Sequence, residues 1–302
     1  MSEISLAPTP PALPTEIPVR GRAALTRRQR RRRPSVLIII AAVWIGAWAI
    51  LAVIANWIPL ANPSHHVGHS RVGPFHSWSH PLGTDALGRD ELSRLIFGAR
   101  QSLAVSVIAA AIAMSVGAIV GLLSAYIRNF MDVAVGTFTD AILAFPPLVF
   151  LLAVAATIGP SSTTVTGGLA IVSMPAFIRL SRANALRFVN REFVQANRLM
   201  GAGPLRIVFK EILPNILAPI AAYAVVLMAF LIVAASSLSY LGLGVPPPAP
   251  SWGAMIADGQ PDLVQHPGLV FVPAVVLFIT VYALNVLGDA ARQRFDVRES
   301  AL

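Results

Sequence analysis

Residues 27–57 read RRQRRRRPSVLIIIAAVWIGAWAILAVIANW, a basic run followed directly by an apolar stretch. The apolar part, from about Val36 to Trp57, is long enough to cross a bilayer, which takes roughly 20 helical residues. A secretory signal peptide also begins with basic residues, but its apolar part is shorter and lies nearer the N-terminus. We therefore interpret this stretch as the first membrane span, with Trp57 in the aromatic belt at the membrane surface.

The composition of the whole chain also indicates a membrane protein. Of its 302 residues, 56% are hydrophobic and 12% are charged, whereas a soluble domain carries about 25% charged residues. The sequence contains no cysteine, which excludes disulfides, thiolate metal sites and cysteine nucleophiles. Because helices satisfy their own backbone hydrogen bonds in lipid, we expect the spans to be helical.

Five further apolar stretches follow the first, so the predicted fold class is all-α integral membrane with six transmembrane helices. Thr, Ser, Gly and Pro interrupt the fourth stretch, which makes it the candidate for a broken helix. Residues 1–34 are predicted to be a disordered basic tail, and residues 35–302 to be one transmembrane domain. The predicted spans are about 35–57, 102–127, 134–157, 164–186, 216–241 and 268–290.

The distribution of the 23 Lys and Arg residues predicts the orientation of the spans. With the N-terminus inside, 19 of them lie in cytoplasmic segments and four lie outside. Cytoplasmic loops carry such an excess of basic residues, so we expect both termini in the cytoplasm. The topology thereby explains the net charge of +9, so a nucleic-acid partner is not needed to account for it. Membrane lipid is the expected partner of the apolar spans. The four outer residues are Arg71, Arg89, Arg94 and Arg100.

The outer loop at 58–101 contains a pattern typical of a short helix along the membrane surface. We expect this surface helix over 85–100, and a plain extension of the second span is the alternative. All six histidines fall in outer segments, where the loop context favours solvated side chains over a metal or haem site. The apolar residues at helical spacing are Leu92, Leu95, Ile96 and Ala99.

The long cytoplasmic loop at 187–215 is predicted to form a helix-turn-helix. Gly201 ends its first helix, as glycine often does at a helix C-terminus, and Pro204 opens the second. Such a pair would project a rigid knob from the membrane; an interfacial hairpin that merely joins two spans is the alternative. The first helix has one face that carries Phe193, Ala196, Asn197 and Met200.

This loop resembles the cytoplasmic coupling loop of the integral-membrane permease subunit of ABC importers, which has the form Glu-Ala-Ala-x3-Gly-x9-Ile-x-Leu-Pro. Here the triplet Gln195-Ala196-Asn197 stands three residues before Gly201, and Leu213-Pro214 follow at the family's distance. Two positions of the triplet differ from the family pattern, and Glu211 stands where Ile is expected. The spacing of the motif, more than its letters, therefore carries this resemblance.

Five other segments resemble the C-type permease subunit of the dipeptide, oligopeptide and nickel ABC importers. The resemblance covers about residues 35–298, nearly the whole chain. The five segments are HPLGTDALGRD at 80–90, AFP at 144–146, SYLGLG at 239–244, PSWGAM at 250–255 and NVLGD at 285–289.

The resemblance implies a type I permease fold in the cytoplasmic (inner) membrane, forming half of an ATP-driven import pathway for dipeptides or oligopeptides. It implies three kinds of partner: a homologous permease in a heterodimer, two cytoplasmic ATPases and an extracytoplasmic substrate-binding protein. ATP and Mg²⁺ would bind to the ATPases, so we expect no cofactor, metal or catalytic residue in this chain. The alternatives are a nickel or haem permease of the same family, an ion-coupled secondary transporter, and a membrane scaffold.

The same resemblance implies that the loop helix docks on an ATPase. We expect the docking surface to include Phe193, Ala196, Asn197 and Gly201, because they share one helical face. The full set of predicted coupling residues is Phe193, Val194, Gln195, Ala196, Asn197, Arg198, Gly201, Ala202, Leu213 and Pro214.

Four other residues are candidates for functional roles. Asp140 lies within the third span near its inner end, and we expect it to pair with an arginine of a neighbouring segment and not to couple protons. In the outer loop at 242–268, Trp252, Asp258 and Asp262 could face the substrate-binding protein, and a folded cap over the spans is the alternative.

Overall fold

The structure, a computed structural model, describes residues 35–299 except 77 and 79, and the predicted tail at 1–34 lies outside this range. A π-helical turn, Ile207–Ile212, joins two of the helices, and a 3₁₀ turn, Gln260–Asp262, follows another. The α-helices are α1 Val36–Ile54, α2 Glu91–Ile127, α3 Phe130–Leu143, α4 Pro147–Ile158, α5 Ser162–Val189, α6 Glu192–Leu199, α7 Pro204–Arg206, α8 Leu213–Tyr240, α9 Trp252–Gly259 and α10 Gly268–Glu299.

Among the described residues, five helices are long and apolar enough to cross a membrane, and α3 with α4 makes a sixth crossing if the two form one bent span. The five are α1, α2, α5, α10 and the continuous helix Pro204–Tyr240, which contains α7 and α8. The prediction of an all-helical membrane fold is therefore confirmed, and the predicted six spans lie within the five to six that the described helices allow.

The break in the bundle lies in the third predicted span and not in the fourth. Helices α3 and α4 meet at an angle of 84° across Ala144–Pro146. Pro146 and Pro147 lack backbone N–H donors and hold their neighbours out of the helical region, so α3 ends at Leu143 and Pro147 starts α4. The predicted span over 134–157 is therefore divided between two helices. The fourth stretch is continuous through Pro175.

The predicted surface helix over 85–100 is also corrected. Residues from Glu91 onward belong to α2, which continues without interruption to Ile127. Asp90 caps its N-terminus by accepting a hydrogen bond from the Ser93 backbone N–H at 2.8 Å. The residues at helical spacing do lie on a helix, but the charges at Arg94, which is buried, and Arg100, which is exposed, do not separate it from the second span.

The contacts between α1 and α10 place the start of α1 and the C-terminal part of α10 on the same side of the bundle. The Trp44 indole of α1 donates to Thr280 Oγ1 of α10 at 3.0 Å. Further along α1, Trp48 packs in a cluster with Val276, which precedes Thr280. Helices α1 and α10 are thus antiparallel, and the start of α1 lies at the same end as the C-terminal part of α10. This arrangement agrees with the orientation that the charge distribution predicts.

Helix α2 runs parallel to α5 at close range. Glycines let the backbones approach, since a Cβ added at Gly121 would lie 2.3 Å from the Ile178 carbonyl oxygen. Ser181 Oγ donates across the same contact to the Ala118 carbonyl at 2.8 Å. Small residues and hydroxyl groups of this kind are typical of helix pairs in membranes. The pairing brings the end of α5, and hence the loop that follows, to the inner end of α2.

Candidate functional site: a knob at the inner end and ion pairs at both ends of the bundle

The loop at 187–215 forms a compact knob at the inner end of the bundle. Its helix α6 is anchored by Val194, whose side chain is fully buried in a core cluster with Ile207 and Ile212. The Arg198 guanidinium lies 5.0 Å from the centroid of the Tyr126 ring, near the end of α2, a cation–π arrangement. The knob is thus tied to α2 as well as to its own chain neighbours.

A tight turn ends α6. Gly201 has φ +80, a conformation that side chains with a Cβ rarely adopt. The Ala202 N–H donates to the Asn197 carbonyl at 2.9 Å, which satisfies one of the carbonyls left free at the helix end. A Cβ added at Gly201 would meet nothing within 4 Å. This glycine is therefore required by backbone conformation and not by space.

The structure divides the predicted coupling residues into two groups. Val194 faces the core and cannot contact a partner, and Leu213 and Ala202 are partly buried against the same cluster. Asn197 is only half-exposed, because its side-chain amide turns back to the Phe193 carbonyl. The exposed members are Phe193, Gln195, Ala196, Arg198, Gly201 and Pro214.

Three exposed apolar side chains lie beside the turn; Met200 belongs to the predicted helical face, whereas Leu199 and Leu205 were not among the predicted coupling residues. Leu199, Met200 and Leu205 are 89%, 75% and 69% exposed, although they belong to a polar, basic loop. The signal that could have found them is their position: they flank Gly201 and lie off the face anchored by Val194. We call these three residues the apolar rim of the knob.

At the outer end of the bundle, charged residues form a nearly buried cluster. The Asp85 carboxylate accepts from the Arg89 guanidinium at 2.6 Å and lies 3.4 Å from that of Arg94. Arg94 also donates to Asp258 of α9 at 2.9 Å. We call Asp85, Arg89, Arg94 and Asp258 the outer ion cluster. It ties the segment before α2 to the cap formed by α9.

The outer residues predicted to face a binding protein have other contacts in this chain. Trp252 is fully buried: its ring packs edge-on against Trp48, with centroids 5.6 Å apart, and its indole N–H donates to the Leu95 carbonyl at 3.0 Å. It is therefore a core residue of the cap. Asp262 pairs with Arg71 at 3.0 Å, and Asp258 belongs to the outer ion cluster with its carboxyl half-exposed.

At the inner end, two ion pairs join α3 to α5. Asp132 accepts two hydrogen bonds from Arg182, at 2.6 and 2.7 Å. Asp140 lies 2.5 Å from Arg179, the kind of partner expected for it. We call these two contacts the inner ion pairs. Both arginines stand on α5, shortly before the knob, so these pairs and α6 share one helix as their support.

Among the outer histidines, His80 has a defined contact. Its Nδ1 lies 3.0 Å from the Asp90 carboxylate that caps α2, so it supports the start of that helix. Within the part of the chain that the structure describes, no three His, Cys, Asp or Glu side chains are grouped closely enough to hold a metal ion.

Comparison with known proteins identifies a family that this chain matches. Residues 117–300 match the family described as the binding-protein-dependent transport system inner membrane component. The matched region contains the inner ion pairs, the knob and the cap helix α9.

Similar sequences extend the likeness over most of the chain. A glutathione transport system permease protein of Pectobacterium atrosepticum is 36% identical over 84% of this chain and 86% of its own length. A di/tripeptide transport system permease protein of Pseudomonas aeruginosa is 37% identical over 81% of this chain and 82% of its own length. An Escherichia coli glutathione transport system permease protein is 34% identical over 94% of each chain.

A solved structure shares the fold. A chain of the inward-facing MetNI methionine ABC transporter superposes with a TM-score of 0.52 at 20% identity, covering 67% of this chain and 96% of that chain. The fold, the family match and the extent of the sequence similarity agree with one another. The chain therefore belongs to the inner-membrane components of binding-protein-dependent transport systems, and it is a multi-pass permease subunit of an ABC importer.

Proposed function

We propose that this permease subunit forms one half of a pathway for small peptides, paired with a homologous permease in a heterodimer. The similar permeases are named for di/tripeptide transport and for transport of glutathione, which is itself a tripeptide. Their identity of 34–37% extends over most of this chain. These names favour a peptide over nickel or haem as the solute.

We further propose that the knob is the coupling element and that its apolar rim docks on a cytoplasmic ATPase. The observation that carries this proposal is the combination of a rigid support with an exposed apolar surface. Val194 and Arg198 fix α6 against the bundle, while Leu199, Met200 and Leu205 are open to solvent. Exposed apolar groups of this size on a fixed element are typical of a protein interaction site.

In this proposal the chain itself hydrolyses nothing. Two partner ATPases bind ATP and Mg²⁺, and an extracytoplasmic binding protein delivers the solute. Nucleotide can shift the permease between two states only through contacts that differ between those states. In this proposal the knob makes such contacts, and α6 begins shortly after the end of α5, the helix that carries the arginines of the inner ion pairs.

The test uses the whole transporter, reconstituted with its ATPases and binding protein in proteoliposomes. Gly201→Val places a β-branched residue at φ +80, which costs about 1–3 kcal/mol of local strain. We expect the variant to insert normally and to hydrolyse ATP, while peptide uptake per ATP falls sharply. Uptake of a labelled dipeptide and phosphate release, measured on the same vesicles, separate the two activities.

Gly203→Val is the matched control, because Gly203 lies in the same turn with φ −67 and open space around its Cα. We expect this variant to keep wild-type coupling. Normal coupling in Gly201→Val would show that the turn does not transmit the ATPase motion. Uptake that follows a proton gradient without ATP would instead favour an ion-coupled transporter.

A further inference from the structure

The second of the inner ion pairs, Arg179 with Asp140, lies deeper in the bundle than the first and is nevertheless open. Asp140 is the tenth residue after Phe130, where α3 begins, and Arg179 is the tenth before Val189, where α5 ends. At about 1.5 Å per residue, each stands about 15 Å from the inner end of its helix, which is about half of a hydrocarbon core of about 30 Å. Their side chains are 57% exposed for Arg179 and 69% exposed for Asp140.

The segment that carries Asp140 crosses the membrane. Helices α2 and α5 are parallel, since the side chains of Gln101 and Ser162 are in contact near their outer ends and Ser181 donates to the Ala118 carbonyl further inward. The chain leaves α2 at its inner end and enters α5 at its outer end. The bent pair of α3 and α4, which lies between them, therefore runs from the inner side to the outer side.

Lipid does not suit this face of α3 and α4. Charged side chains within a membrane span almost always face protein or a water-filled space. The bend that follows Asp140 adds a second requirement, because Pro146 gives the start of α4 no side-chain cap and the first N–H groups of a helix have no helical partner. Residues 144–149 are all exposed, and non-helical backbone within a membrane needs protein or water beside it.

The free hydrogen-bonding groups of the pair favour a water-filled path over a second protein surface. A single hydrogen bond, from Arg179 Nη2 to Asp140 Oδ1, joins the two side chains. Within the described part of the chain, the other carboxylate oxygen and the other guanidinium N–H groups have no partner. A protein surface that covered them would have to remove water from two charges and supply a partner for each free group, at a cost that a buried ion pair often does not recover. A hydrated path leaves these groups available to a solute.

We propose that Asp140 and Arg179 line the water-filled path of the solute and bind the two charged ends of a transported peptide. A free peptide carries an ammonium group, which suits the Asp140 carboxylate, and a carboxylate, which suits the N–H groups of the Arg179 guanidinium. When no peptide is present, the two side chains neutralise each other. The proposal rests on the proposed function of peptide import, and it places a contact with the solute in the permease itself.

The test measures uptake of Lys-Leu and of Glu-Leu by the transporter reconstituted with its ATPases and binding protein in proteoliposomes. Arg179→Gln leaves Asp140 unpaired, so the ratio of Lys-Leu to Glu-Leu uptake should rise about 3- to 10-fold above the wild-type ratio, a change that charges a few ångströms apart in a hydrated site can produce. Asp140→Asn leaves Arg179 unpaired, so the same ratio should fall by a similar factor. The binding protein is the same in every sample, so its own preference cancels from the comparison.

Asp132→Asn is the matched control. Asp132 also stands on α3 and pairs with an arginine of α5, but it accepts two hydrogen bonds from Arg182 and its side chain is 21% exposed. This variant should lower uptake of both peptides alike and leave their ratio at the wild-type value. Unchanged ratios in both Arg179→Gln and Asp140→Asn would overturn the proposal, even if total uptake fell, because the pair would then only hold α3 against α5. An equal shift in Asp132→Asn would also overturn it, since the effect would not be local to the pair.

Access to water gives an independent measurement. The sequence contains no cysteine, so Asp140→Cys introduces a single thiol into this chain. A charged, membrane-impermeant thiol reagent should modify that thiol in the assembled transporter, with the wild-type transporter as the background. No modification with or without ATP, or loss of the partner permease from the purified variant, would overturn the proposal, because the pair would then lie in a subunit interface. Wild-type vesicles that import no peptide would instead overturn the proposed function, whatever the variants do.

Discussion

The two ends of the bundle hold their charges in different environments. In the outer ion cluster, the side chains of Arg94 and Asp85 are 3% and 7% exposed. In the inner ion pair of Arg179 and Asp140, they are 57% and 69% exposed. Breaking a buried pair leaves an uncompensated charge, whereas an exposed pair exchanges its partner for water at little cost. The outer end is therefore built to stay fixed, and the inner end can rearrange.

This difference agrees with the direction of the proposed mechanism. The knob and the inner ion pairs share α5, so a force on α6 reaches contacts that can break. The cap helix α9 is held by Trp252 and by the outer ion cluster, so we expect the outer end of the bundle to stay in place while the inner end moves. Motion is expected at the inner end first.

The largest expected effect is that of Arg94→Leu. It leaves Asp85 nearly buried with one fewer cation and removes the link to Asp258, which should cost about 3–5 kcal/mol of folding free energy. Thermal unfolding in detergent, followed by tryptophan fluorescence, measures the change. Arg71→Leu breaks the half-exposed pair with Asp262 and should cost about 0–1 kcal/mol. Equal losses in the two variants would contradict the contrast between buried and exposed pairs.

The next largest effect is expected for Trp252, which holds the cap in place together with the outer ion cluster. Trp252→Phe keeps an aromatic ring beside Trp48 but removes the indole N–H that reaches the Leu95 carbonyl, at an expected cost of about 1–3 kcal/mol. The same unfolding measurement applies. Trp57→Phe is the control, because Trp57 is 78% exposed and its replacement should leave the midpoint unchanged. A stable Trp252→Phe variant would show that packing alone fixes the cap.

A smaller effect on stability is expected at the first inner ion pair. Asp132→Ala removes both hydrogen bonds to Arg182, whose side chain is 41% exposed, and should cost only about 1 kcal/mol. Peptide uptake should fall by more than this small loss of stability would cause, because the pair holds α3 in position against α5. The exchange Asp132→Arg with Arg182→Asp restores opposite charges and should recover part of the uptake. If uptake does not recover, then uptake depends on the orientation of the two side chains and not on the attraction between their charges.

The smallest effect is expected for Asp140→Asn. Both partners of this pair are more than half exposed in this chain, so the unfolding midpoint should hardly change. Uptake should remain ATP-dependent and should not respond to a proton gradient, since we expect Asp140 to serve as the partner of Arg179 and not to couple protons. A gain or loss of proton dependence in reconstituted vesicles would contradict this role.

The helical content and the position of the knob could be predicted because their causes are local. A stretch of apolar residues in lipid must form a helix, and Gly201 marks the end of α6 through its own backbone conformation. Pro146-Pro147 marks the break after Leu143 in the sequence, whereas the polar residues of α5 favour a broken helix in the fourth stretch, which is in fact continuous. Those residues are tolerated because α2 packs closely against them, which is a tertiary effect.

The roles of Trp252 and of the knob residues could not be predicted in the same way. Trp252 occurs in a proline-rich outer segment, and only the packing of α9 on α1 and α2 shows that it is buried. Val194 and Phe193 are neighbours of similar hydrophobicity, yet one is buried and the other exposed. Which of them faces the bundle depends on how α6 docks against Ile207 and Ile212, and no local pattern specifies that contact.

The sequence by itself determined the membrane location, the helical spans, the orientation from basic residues and the family, because these depend on composition and on local order along the chain. The tertiary structure alone decided which charges pair. It joined Arg94 to Asp258 across 164 residues of sequence, and it buried Trp252. The stretch at 36–57 illustrates both kinds of information. Its length predicts a membrane span, but only the contacts with α10 and the cap determine that Trp44 and Trp48 face inward.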